Sequence, residues 1–176
     1  MSGKINIVFG FFYLALTAVL GPAFLVPQLV ERGVVMKQAG QAVADVQTAV
    51  EAPQTQTGAV ELAQKNAAAV PALWDALKAQ QTNGKGAHAH GNLEALLNIV
   101  VGFILLSLAV PNAFKRLLTL LFILGAVFHS GVLYLGTVFG LGFVFKFVLI
   151  GEVSLIGGLV LMGVAAIMGI KRQGCC

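Results

Sequence analysis

The sequence predicts an all-α integral membrane protein: a bundle of four transmembrane helices, with an extra-membrane helical hairpin between spans one and two. Composition is the first observation behind this. Of 176 residues, 58% are apolar and 10% charged, with a mean hydropathy of +0.90; a water-soluble domain carries about 25% charged residues. Run length is the second. Ile5 to Val30, Leu93 to Val110, Leu117 to Phe139 and Phe143 to Ile170 match the roughly 20 apolar residues a helix needs to cross a bilayer. Lipid leaves no water for backbone groups, so such continuous runs read as helices. Charge placement is the third. Lys4, then Lys115 and Arg116, then Lys171 and Arg172 fall on one side, while the carboxylates lie in the opposite loop or within spans.

That asymmetry orients the chain. Basic residues mark the cytoplasmic side, so both termini are expected there, in a multi-pass protein of the inner (cytoplasmic) membrane. The elements then run in order: span one over residues 1–30, an outer (periplasmic-side) hairpin and link over 31–92, and span two over 93–110. Span three covers 117–139, span four 143–170, and a cytoplasmic tail 171–176. A cleaved signal peptide over residues 1–23 is the rival reading of the first run; its length and its poor cleavage pattern favour a retained helix. The net charge of +4 is accounted for by topology, and no Arg-rich patch with interleaved aromatics points to nucleic acid. Cys175 and Cys176 imply no disulfide framework in a reducing compartment. They read as incidental thiols or as a lipidation site next to the membrane.

The outer segment is built differently. Val34, Val35, Val43, Val46, Ala49 and Val50 recur near helical spacing, as do Ala59, Leu62, Val70, Leu73, Trp74 and Leu77. A turn is expected over 53–58, and Pro71 is expected to start or kink a later helix. A flexible link is expected over 82–87. Nothing in the hairpin resembles catalytic machinery, and packing or oligomerisation is its expected role.

Polar groups inside the spans are the functional candidates, because an unpartnered ionisable group in lipid is costly. Counting from the cytoplasmic span ends, Glu94, Tyr134 and Glu152 come out about 25 to 27 Å up, and Asn98 and His129 about 20 Å. Three helices thus converge on one layer of the outer half of the bilayer. Glu94 and Asn98, four residues apart, share a helix face. His88 and His90 stand at the outer mouth of span two. On a helix they point in nearly opposite directions and cannot grip one metal together; in an extended entry they act as a pair. No Gly-rich phosphate loop, Gly-x-Ser-x-Gly elbow or Cys-x-x-Cys cluster occurs.

The stretch from Ala87 to Tyr134 resembles the heme-dependent styrene-oxide isomerases. An Ala-His entry to span two, Leu105-Leu-Ser-Leu108 at its end and Arg116-Leu-Leu118 opening span three carry the likeness. The resemblance implies heme b near the outer face, with His88 as the metal ligand and His90 as the fallback. It also implies a homo-oligomer (a trimer with heme at subunit interfaces) and a small apolar substrate. The family's ferric iron acts as a Lewis acid on an epoxide oxygen; ring opening and a 1,2-hydride shift then give an aldehyde. Glu94 and Tyr134 are the catalytic candidates that this implies, with Asn98, His129 and Glu152 near the cofactor. The sequence departs from the family at three positions and in one loop. Glu94 stands where the family has Asn, Leu133 stands where it has its functional Tyr, His129 replaces a non-histidine, and the outer loop is longer. Two further classes follow from the same residues. One is an electron-carrying or sensing heme protein with His90 or His129 as second ligand. The other is a heme-free transporter or accessory subunit with a proton or ion site at Glu94, His129 and Glu152.

Overall fold

The structure, a computed structural model, describes residues 2–51, 56–81 and 85–169. It is helical throughout, with no strand among the described residues. The chain divides into two compact units, Met1–Pro22 with Gly84–Cys176, and Ala23–Asn83. Among the described residues, four helical segments are long and apolar enough to cross a membrane. Lys171, Arg172, Cys175 and Cys176 lie outside the described residues.

In the first unit, α1 (Ser2–Leu20) packs along α4 (Lys85–Ser107), and α5 (Asn112–Ala126) packs on both of them and on α6 (Val148–Gly169). Lipid gives no hydrophobic drive between helices, so close backbone approach and interhelical hydrogen bonds must hold them. The α1–α4 seam shows both. Gly3, Asn6, Gly10, Thr17 and Gly21 form a buried stripe of small and polar residues on the N-terminal segment. A Cβ added at Gly10 would stand 2.7 Å from the Ala95 carbonyl oxygen, and one at Gly102 would stand 2.6 Å from that of Gly3. Val101, Leu105, Leu108, Leu118, Phe122 and Ala165 form the apolar core where α4, α5 and α6 meet.

Several boundaries differ from the sequence reading. Span two begins its helix at Lys85, so the described part of the expected 82–87 link is already helical and both histidines sit on α4. Span three starts at Asn112 and widens into π-helical turns at Val127–Gly131 and Tyr134–Val138. Span four enters through a tight 3-10 turn, Gly142–Phe147. On the N-terminal side, α1 gives way to a π-helical turn over Gly21–Leu25, where Pro22 supplies no backbone N–H.

The second unit is a two-helix hairpin of α2 (Val26–Glu51) and α3 (Gln56–Gln81). Of the expected 53–58 turn, residues 53–55 lie outside the described residues and Gln56 onward is helix. Pro71 lies inside α3, not at its start. Inward-facing positions alternate three and four residues apart: Arg32, Val35, Ala39, Ala42, Val46 and Ala49 on one helix, Leu62, Lys65, Ala69, Ala72 and Ala76 on the other. That is the seam of a coiled coil, narrow because alanine fills most of it.

Candidate metal centre and its hydrogen-bond relay

α4 presents two polar faces, and its helical periodicity decides which residue joins which. His88 and Asn92 share one face, and His90 and Glu94 the other, each pair four residues apart. The two histidines therefore diverge, as expected for a helical entry.

The His88 face closes on α1. His88 Nδ1 lies 3.0 Å from the Thr17 carbonyl oxygen and 3.1 Å from the Tyr134 hydroxyl. Asn92 Nδ2 lies 3.2 Å from His88 Nε2, while Asn92 Oδ1 accepts from the Thr17 hydroxyl at 2.6 Å. The Thr17 carbonyl can only accept, so the imidazole proton sits on Nδ1 and the bare Nε2 accepts from the Asn92 amide. A Cβ added at Gly21 would collide with the His88 ring. Both ring nitrogens are thus engaged and one edge is covered. An iron at His88 would have to displace Asn92 from the lone pair, so this arrangement does not fit His88 as the axial ligand of heme b.

The His90 face closes on the π-helical turn of span three. His129 Nδ1 and Glu94 Oε1 are 2.5 Å apart, and Ser130 donates to Glu94 Oε2 at 2.5 Å. With that proton given to Glu94, the Ser130 oxygen accepts from the Tyr13 hydroxyl at 2.8 Å, which has the Ala126 carbonyl as an alternative acceptor at 3.1 Å. Glu94 is 3% exposed and Ser130 is fully buried, so the carboxylate has exchanged water for two directed donors. His90 is exposed and meets the His129 ring edge-on, with centroids 4.8 Å apart. Ligand atoms of His90, Glu94 and His129 all lie within 4.8 Å of one another. A zinc-like ion about 2.0–2.1 Å from each donor needs them roughly 3.4 Å apart, a closure within reach of side-chain rotation. An ion bound there would take the place of the proton between His129 Nδ1 and Glu94 Oε1, so binding would release protons.

No family model, curated protein or solved structure matches this sequence. Function therefore rests on the geometry of the site.

The other expected site residues are placed as follows. Asn98 is fully buried and structural: it accepts from Asn6 at 2.9 Å and donates to the Glu94 and Phe122 carbonyls at 3.0 and 3.1 Å. It ties α1, α4 and α5 together and faces no open volume. Tyr134 joins His88, and Glu94 joins His129. Glu152 is a correction: it is exposed on α6 and joins neither cluster. α6 packs through Gly151, against the His129 backbone, and the next residue points about 100° away around the helix. The depth count set His129 about one turn below Glu94, yet its ring meets both Glu94 and the outer His90. The π-helical turn re-aims the side chains of 127–131, as such turns commonly do at functional sites.

Tyr13, Ser130, Thr17 and Asn92 escaped the sequence reading. The available signal for α1 was the three-and-four spacing of Gly3, Asn6, Gly10, Tyr13 and Thr17. Ser130 gave none, since a helical serine ordinarily returns its hydroxyl to the preceding turn; here the Ala126 carbonyl, 3.1 Å away, is the alternative to Glu94. An apolar cavity of about 240 Å³ opens beside this network, with Tyr13, Thr17, Tyr134, Leu16, Val127 and Phe139 in its wall.

Proposed function

We propose that this chain is a membrane-embedded metal protein. In this reading His90, Glu94 and His129 hold a divalent first-row transition ion, and the site acts on a small apolar molecule taken up from the bilayer. The convergence of two imidazoles and one buried carboxylate carries the reading, because that donor set suits zinc or non-heme iron(II) with positions left open. Glu94 has two jobs in it. One oxygen faces His129 and the ion, and the other faces Ser130 and, through it, Tyr13 in the wall of the apolar cavity. The ion supplies Lewis acidity, and the hydroxyls give a hydrogen-bonded route for a proton towards the cavity.

A metal-free proton site is the second reading, favoured by the hydrogen-bonded chain from His129 through Glu94 and Ser130 to Tyr13, with exposed His90 in ring contact at its outer end. Heme b with an epoxide-isomerase activity shares the apolar cavity with both, but would require His88 to release Asn92. Titration of the metal-stripped, detergent-purified protein with Co2+, followed by its visible absorption, separates the three. The metal reading expects one equivalent bound, lost in His129→Ala and His90→Ala and kept in His88→Ala. Absence of cobalt bands in the parent protein favours the proton site. A Soret band that disappears in His88→Ala would replace both with the heme reading.

A further inference from the structure

The hairpin carries a second seam that its own two helices leave unused. One residue around from the Ala-rich seam, Leu29, Gly33, Met36, Gly40 and Val43 repeat the same four-and-three spacing along α2, and all are exposed. On α3 the matching positions are Ala59, Ala63, Val70, Leu73 and Leu77, again all exposed, with Asn66 the polar member. In an antiparallel pair, equivalent flanking positions of the two helices lie on the same side. The structure agrees, since Met36, Gly40 and Val43 line one groove of about 310 Å³ with Leu73 and Leu77. That face contains no charged residue. The opposite flank carries Glu31, Asp45, Glu61 and Asp75, all acidic.

A stripe spaced for knobs-into-holes packing is suited to further helices rather than to a loop or a small ligand. Its size is right for a stable contact: two helices of 26 residues, each about 39 Å long and 10 Å wide, offer about 800 Å² per partner. It also holds both halves of a self-complementary surface. Met36, Val43, Leu73 and Leu77 are the knobs, and Gly33 and Gly40, with nothing within 4 Å of an added Cβ, are the holes. An isologous contact requires this of a single patch, and two-fold pairing turns both acidic flanks outward.

We infer that the hairpin is a homodimerisation element: the uncharged faces of two copies pack into a four-helix bundle. The inference is independent of the metal reading. It is tested on the full chain in its own membrane, with Cys175→Ser and Cys176→Ser as background. Val43→Cys and Leu73→Cys, treated with a short bismaleimide, are expected to give a dimer, and Asp45→Cys is expected to give none. In detergent, Met36→Glu with Leu73→Glu, both at exposed positions, is expected to convert dimer to monomer by light scattering while keeping the helical content. Equal cross-linking at Asp45, a trimer ladder, adducts with a different protein, or lipid shielding without any dimer would each overturn it.

Discussion

The two polar faces of α4 are built from similar residues and end in opposite conditions. On one, His88 and Asn92 meet Thr17 and Tyr134, and both imidazole nitrogens are engaged within the bundle. On the other, His90 and Glu94 meet His129, the carboxylate has a partner at each oxygen, and the His90 imidazole stays exposed. Two histidines in one His-x-His motif thus differ because helical rotation turns one towards α1 and the other towards a π-helical turn. A half-buried histidine with both nitrogens bonded holds helices together. One left open beside a buried carboxylate is the candidate for chemistry.

Metal affinity gives the largest contrast. His129→Ala should weaken metal binding by more than about 100-fold, beyond the loss typical of outer-shell changes. His88→Ala should leave the stoichiometry unchanged. If His88→Ala and His129→Ala weaken binding equally, the division between the faces is wrong. Next comes the α1–α4 seam. Gly102→Val places a side chain against the Gly3 carbonyl oxygen and the Ile7 side chain, both 2.6 Å from its Cβ, and should destabilise the bundle by about 1–3 kcal/mol. Thermal unfolding in detergent reads this, and an unshifted midpoint would contradict the close approach.

Asn98→Leu should cost about 1–2 kcal/mol, because the Asn6 amide, whose Oδ1 already lacks a partner, would lose its acceptor as well. Metal stoichiometry should survive that change, which distinguishes a packing residue from a ligand. Tyr13→Phe is the smallest of these, about 0.6 kcal/mol for one interhelical hydrogen bond in a membrane protein. It should leave metal binding intact while abolishing any activity that uses the relay. Glu152→Gln, exposed on α6, should change neither stability nor metal content.

Much of the fold is legible in the sequence, because membrane-spanning runs are long and continuous. The hairpin is legible because its valines and leucines recur at helical spacing. The candidate site is legible in part. Glu94, His129 and His90 stand out as ionisable groups in or beside apolar runs, but their grouping does not. Depth counting placed Glu152 with them, since it measures height along a helix and says nothing of rotation around it. It set His129 about a turn below Glu94, since a π-helical turn at Val127–Gly131 has no plain sequence signature. Ser130 and Tyr13 passed as an ordinary serine and an ordinary aromatic. Only the tertiary pairing of α1 with span three makes them a relay.

The most direct test of the central claim is elemental analysis of the wild-type protein purified from its own membrane, beside His90→Ala and His129→Ala. The wild type should hold about one divalent transition-metal ion per chain, as a two-histidine, one-carboxylate donor set implies, and both variants should lose it. A wild-type protein that stays metal-free after incubation with zinc and iron(II), or variants that keep their metal, would contradict it.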